Sequence, residues 1–153
     1  MSAEAKLKEL GLELPPAPAP AANYVPYRRE GNLLIIAGQV PFNYEGKLDF
    51  IGKVGRDLDQ DAGYQAARLC ALNGLAQIRA ALGSLDKVRQ VLRVGGWVHC
   101  TDDFTNQPEV INGASDLLVQ VFGDKGRHAR AAVGTNSLPR GVATEVEFTV
   151  AVE

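Results

Sequence analysis

Two ions near the C-terminal end of the chain stand among small side chains: Arg130 within Ala129-Arg130-Ala131-Ala132-Val133-Gly134-Thr135, and Glu145 within Ala143-Thr144-Glu145-Val146-Glu147. A guanidinium can grip a carboxylate with two parallel hydrogen bonds, and a carboxyl can take a proton from water and return it. Both segments read as strands. Val142, Thr144, Val146, Phe148, Val150 and Val152 fall on one face of the last one, and Glu145 and Glu147 on the other. Ser137-Leu138-Pro139-Arg140-Gly141 supplies a turn between them. The expectation is that these strands are neighbours and bring Arg130 and Glu145 to one space walled by small residues. The alternative is a pair of solvated ions, or a surface salt bridge, which contributes little.

The elements that must position these residues follow from pattern. Ser2 to Glu13 reads as a short amphipathic helix capped by Ser2. Pro15 to Ala22 alternates proline and alanine, so it is an extended arm laid over the body. Residues 1–22 are therefore set apart from a domain spanning 23–153. Tyr24–Arg29 and Leu33–Gly38 form a hairpin, with Glu30-Gly31-Asn32 at its bend. Leu33-Leu34-Ile35-Ile36-Ala37-Gly38 is apolar on both faces. Asn43 to Gly55 reads as a loop with a short edge strand. A long helix runs from a cap near Asp59 to Leu82, with Gly83 as its stop. The strand Val88–Thr101 follows, alternating Val88, Gln90, Leu92, Val94, Gly96, Val98 and Cys100 against Arg93, Gly95, Trp97 and His99. Asn106 caps the last helix, with Pro108 and Glu109 in its first turn and Gly123 ending it.

This order gives an α+β fold with two main helices on one face of a mixed or antiparallel sheet. The helices cover one face only, although Leu33 to Gly38 is apolar on both and the second face of the middle strand carries Trp97. Large exposed apolar faces mark interfaces, so a homo-oligomer is expected.

Composition excludes several classes. The 153 residues are 46% hydrophobic and 22% charged with net charge −2, and the isoelectric point is near 5.7. That suits one soluble domain and lacks the basic stripe of a nucleic-acid binder. Cys70 and Cys100 fit no metal or redox spacing and read as core thiols. No metal site is expected from two histidines without a ligand motif. There is no signal-like or membrane-spanning apolar run, which makes the cytoplasm the expected location.

Three motifs then resemble one family. Leu34-Ile35-Ile36-Ala37-Gly38-Gln39-Val40-Pro41 is similar to the SGQ-(I/V)-P signature of the Rid/YjgF superfamily, the reactive-intermediate deaminases once labelled L-PSP endoribonucleases. His128-Ala129-Arg130 resembles its PAR signature, and Leu138-Pro139-Arg140-Gly141-Val142-Ala143-Thr144-Glu145-Val146-Glu147 its LP-x-G-x-x-(V/I)-E-(I/V)-E ending. The resemblance runs from about Tyr24 to Glu153. It implies a chorismate-mutase-like fold and a homotrimer around a central β-barrel, with a ligand cleft at each subunit boundary. It further implies hydrolysis of enamine or imine intermediates of small amino acids to 2-oxo acids and ammonia, with no metal or organic cofactor.

Residue by residue, Arg130 matches the family arginine that holds the substrate carboxylate, and Glu145 the glutamate that handles water. Tyr24 matches the family's N-terminal tyrosine, and Asn112 an asparagine of the second helix. Backbone N–H groups at Gly38 and Ala132 are further candidate donors. Glu147 competes with Glu145 from the same face. Ala37 stands where family deaminases commonly carry serine, and Ala132 where cysteine is frequent. A second function class is therefore open: a non-catalytic trimer that binds a small carboxylate or imino acid. Ribonuclease activity, the family's older label, is disfavoured by the acidic charge balance.

Overall fold

A computed structural model describes residues 1–153 as a five-stranded sheet with helices packed on one face. In chain order the elements are α1 (Ala3–Glu9), β1 (Tyr27–Glu30), β2 (Leu33–Gln39), α2 (Gln60–Leu82), β3 (Val88–His99), α3 (Gln107–Phe122), β4 (Ala129–Thr135) and β5 (Thr144–Val152), with short 3-10 turns between. The strand order is β1-β2-β5-β3-β4. Only β3 and β4 run parallel, so the sheet is mixed. This is the α+β architecture expected from the pattern.

Local chemistry sets the helix ends. The Asp59 side chain accepts the Ala62 N–H at 2.8 Å and opens α2. Gly83 closes it in the left-handed region at φ 83°, where a side chain would be strained. The α3 start departs from expectation. Asn106 occupies the cap position but makes no capping bond, and its amide instead donates to Gln60 Oε1 at 2.9 Å. Pro108 and Glu109 still occupy the first turn.

Close approach defines the core. A Cβ on Gly113 of α3 would stand 2.0 Å from the Tyr64 carbonyl oxygen of α2. A Cβ on Gly74 of α2 would stand 2.5 Å from the Phe148 ring of β5. Ala66, Ala67, Cys70, Ala71, Leu75 and Ile78 on α2 are fully buried beside these glycines. Val88, Val91, Val94 and Val98 face them from β3.

That β3 set corrects the simple alternation. Register shifts lie between Val88 and Gln90 and between Val91 and Arg93. Each extra residue resets the phase, so Val91 joins the buried face and Leu92 stays 38% exposed. The expected edge strand in Asn43–Gly55 is reduced to isolated bridges, Phe42 with Leu48 and Ile51 with Val142. Tyr24 lies before the hairpin rather than within it, since β1 begins at Tyr27. Both cysteines are buried and free, as core thiols should be. Burial pushes the Cys70 thiol up to about 12, with a hydrogen bond to Thr144 opposing the shift.

The sheet's second face is bare in the single chain. Leu33, Ile35 and Val133 are 43%, 53% and 47% exposed there. No helix of the chain is long and apolar enough to cross a membrane.

Gly113→Ala should destabilise the fold by about 3 kcal/mol, because backbone, not a flexible side chain, blocks the new methyl group. Denaturant unfolding checks this, and an unchanged midpoint would show that α2 and α3 can part at no cost.

Candidate functional site

The six sequence-predicted residues fall into two groups on opposite faces of the sheet. Tyr24, Gly38 and Glu145 line one pocket together. Arg130, Asn112 and Ala132 gather under α3 at the other edge. The expectation that Arg130 and Glu145 sit on neighbouring strands does not hold, because β3 lies between β4 and β5. Register shows the faces. Arg130 pairs with buried Val94, whereas Glu145 pairs with Trp97 on the open side.

The Glu145 group is built by an irregularity in β2. Ile36 pairs with Phe148, but the next partner of β5, Val146, meets Gln39. One residue too many at Ala37-Gly38 makes a bulge, a device that re-aims side chains beside sites. A Cβ on Gly38 would lie 3.0 Å from the Glu145 carboxyl carbon, so glycine lets the carboxyl lie flat against β2. Half-burial raises the Glu145 pKa above its ordinary value, and the neighbouring charge of Glu147 adds to the shift. Glu147 is differently placed. Its Oε1 accepts from Arg93 Nη1 at 2.9 Å, whereas no ion pair holds Glu145.

The pocket beside Glu145 has a volume of about 600 Å³. Pro18 to Ala22 form one wall, Val40, Phe42 and Leu48 another, and Arg140 stands at its rim. Arg140 has φ 60°, unusual for a residue with a side chain, and its turn holds it there. Sequence reasoning saw Arg140 only as a turn residue.

The Arg130 group is a hydrogen-bonded chain. Arg130 Nη1 donates to Asn112 Oδ1 at 2.8 Å and to Ser115 Oγ at 3.0 Å, and Nη2 donates to the Pro108 carbonyl at 3.3 Å. These contacts leave Nε–H and one Nη2–H uncommitted. Ser115 Oγ is also 2.9 Å from His128 Nε2, and His128 Nδ1 is 2.6 Å from the Gly126 carbonyl. A carbonyl can only accept, so Nδ1 carries the proton, and neutral Nε2 accepts the Ser115 hydroxyl. Burial holds the His128 pKa below its usual value, and Arg130 pushes the same way against the Gly126 carbonyl. Ser115 and His128 were missed from sequence. The available signal was the three-residue spacing of Asn112 and Ser115, which puts both on one helix face.

With this geometry in place, likeness to known proteins becomes informative. Residues 4–146 match a family model described as "YjgF/chorismate_mutase-like, putative endoribonuclease". The chain belongs to the YjgF/chorismate-mutase-like family. It is 47% identical over 147 residues to Protein TCP17 of Trypanosoma cruzi, covering 95% of this chain and 91% of that one. The crystal structure of Atu1372 from Agrobacterium tumefaciens, a protein of unknown function, superposes with a TM-score of 0.90 at 47% identity, covering 99% of this chain and 94% of that chain. RidA from the Antarctic bacterium Psychrobacter sp. PAMC 21119 superposes with a TM-score of 0.63 at 26% identity, covering 89% and 94% respectively. The family resemblance read from three motifs thus holds across nearly the whole YjgF-like chain.

His128 should titrate below the free-histidine value of about 6.5, because its neutral form is the one the site binds. Ser115→Ala removes the hydroxyl that donates to Nε2 and should move the midpoint upward. NMR titration of the imidazole protons measures both. An unchanged midpoint in Ser115→Ala would show that the chain of bonds does not form.

Proposed function

We propose that the protein hydrolyses enamine and imine intermediates of small amino acids to 2-oxo acids and ammonia. The observation that carries this reading is Glu145: a half-buried carboxyl with raised pKa, no ion-pair partner, and a glycine bulge beside it opening to a pocket. Such a group is poised for general acid–base work. Kinship with RidA at 26% identity supports the same reading.

In the reaction, ionised Glu145 accepts a proton from water as the water oxygen bonds to the imine carbon. The protonated carboxyl then passes its proton to the nitrogen. Glu145, ionised again, takes the proton of the new hydroxyl and delivers it to the same nitrogen; as the C–N bond breaks, the oxygen becomes the carbonyl and ammonia leaves. Water and imino acid thus balance 2-oxo acid and ammonia. An enamine first takes a proton at carbon to become the imine. Arg130 holds the substrate carboxylate through its uncommitted Nε–H and Nη2–H, while Asn112, Ser115 and Pro108 fix the guanidinium plane.

Arg130 and Glu145 lie on opposite faces of one chain, so gripping one small substrate requires Glu145 from one copy and Arg130 from another. The exposed Leu33, Ile35 and Val133 supply a face on which copies would pack. We therefore propose a homotrimer with a cleft at each boundary. In sedimentation at micromolar concentration the wild type should run as a trimer. Ile35→Glu, which charges that face away from Glu145, should run as a monomer. A monomeric wild type would overturn the shared site.

A coupled assay tests the chemistry. Added to a dehydratase turning over serine or threonine, the protein should speed 2-oxo acid release beyond spontaneous hydrolysis. Glu145→Gln should lose about 100- to 10,000-fold of that acceleration, and Glu147→Gln far less. Ala37, which lines the pocket without a hydroxyl, favours a second reading as a carboxylate-binding protein without catalysis. Equal rates with and without protein, alongside retained 2-oxobutanoate binding, would decide for it.

The raised Glu145 pKa sets two pH dependences. Only the ionised carboxyl accepts a proton, so kcat/KM should fall on the acid side at a pH above the ordinary carboxylate range. For stability, the fold favours protonated Glu145. Its contribution is full below the unfolded pKa and is lost as pH rises through the raised folded value. Glu145→Gln should therefore match or exceed the wild-type Tm at pH 7 and lose that advantage near pH 4, as calorimetric scans at both pH values would show.

A further inference from the structure

We infer that the proline-alanine arm, residues 15–22, is the selectivity wall of the Glu145 pocket and directs the site to substrates with extended apolar side chains. The inference rests on the proposed imine hydrolysis for its assay and extends its substrates from small amino acids to larger apolar ones, but the wall can also be tested by binding alone.

The arm is built into the fold. Pro15 is buried. Tyr44 donates its hydroxyl to the Glu13 carbonyl at 2.6 Å just before the arm begins. Gln77, 2% exposed among alanines and leucines of α2, donates Nε2 to the Pro18 carbonyl at 2.6 Å. A buried amide in an apolar helix face is costly unless bonded, so α2 retains Gln77 at a position whose bonding partner is the arm. The Ala21 N–H donates to the Tyr24 hydroxyl at 3.3 Å and closes the far end.

The chemistry of the wall follows from its residues. Proline offers no N–H, and its fixed φ keeps the arm extended, so the arm presents ring and methyl surface. Across the pocket stand Val40, Phe42 and Leu48. The two glutamine amides nearby are already engaged, Gln39 Nε2 with the Ala37 carbonyl at 2.8 Å and Gln77 Nε2 with Pro18, which leaves Glu145 and, at the rim, Arg140 as the charged groups of the pocket. A substrate group extending from Glu145 along this wall meets carbon on both sides.

Size points the same way. In the single chain the open cleft beside Glu145 holds about 600 Å³, in the range of roughly 300–1,000 Å³ that takes drug-sized organic ligands, and the Arg130 of a second copy would occupy its mouth rather than the wall under the arm. The imines of serine and threonine products, with three or four carbons, leave most of it to water. Branched aliphatic or aromatic side chains fill it. Discrimination by an apolar pocket reaches roughly 10- to 200-fold per methylene, which sets the scale of preference expected.

The test generates imines in place with an amino-acid oxidase acting on alanine, leucine or phenylalanine, and reads 2-oxo acid release above the spontaneous rate. Calorimetry in parallel measures binding of pyruvate, 4-methyl-2-oxopentanoate, phenylpyruvate and 2-oxoglutarate. Wild type should favour the leucine or phenylalanine product over the alanine product at least about 10-fold in kcat/KM, with the same order in binding. Ala19→Trp, which fills the pocket from the arm, should erase that preference and spare the alanine product. Gln77→Met, close in volume but unable to hold Pro18, should weaken the preference with circular dichroism unchanged.

Equal kcat/KM for all three products, or an equal loss for all three in Ala19→Trp, would overturn the wall. A preference for 2-oxoglutarate over the apolar acids would overturn it in favour of Arg140 at the rim. Absent hydrolysis with the binding order intact would remove the hydrolase reading and leave the wall standing. Absent binding and absent hydrolysis would remove both.

Discussion

The structure depends on how closely α2 approaches its neighbours. Gly113 meets the backbone of α2 at Tyr64, and Gly74 of α2 receives the Phe148 ring of β5. These glycines, with the alanines between them, let two helices lie tight on one side of the sheet. Dispersion is short-ranged and interiors pack at crystal density, so such contacts cannot loosen by halves. All helical cover is thereby committed to one face. The other face stays open, and the Glu145 carboxyl is on it.

That division explains the electrostatics. On the helix side, Arg130 is fixed by Asn112, Ser115 and the Pro108 carbonyl, with neutral His128 behind them. Acceptors orient the cation without neutralising it, which leaves its charge available to an anion. On the open side two glutamates two residues apart receive different treatment. Glu147 pairs with Arg93, while Glu145, pressed against Gly38, is left to burial and to the repulsion of its neighbour. Their types are identical. The strand opposite each of them distinguishes their chemistry.

The arm joins the two levels of organisation. It lies on the body through Gln77 and Tyr44, and its apolar flank faces the Glu145 pocket. A segment of low complexity thus bears on the pocket because a buried amide one helix away holds it.

What the sequence by itself determined was local or periodic. Asp59 and Gly83 bound α2 because a side-chain acceptor and a left-handed residue are chemical properties of those positions. The alternation of β5 placed Glu145 opposite the core because strand geometry has period two. Three short motifs were enough for the family and, through it, for the sheet architecture. Tertiary structure decided the rest. The bulges in β2 and β3 arise from pairing with β5, which joins residues far apart in sequence, so simple alternation misassigned Leu92 and could not show Gly38 beneath Glu145. The Asn106 side chain turned to Gln60, a partner on another helix. Most of all, the insertion of β3 between β4 and β5 parted Arg130 from Glu145. Strand order is set by which apolar faces bury together across the whole chain, and no spacing between two ions in the sequence encodes it.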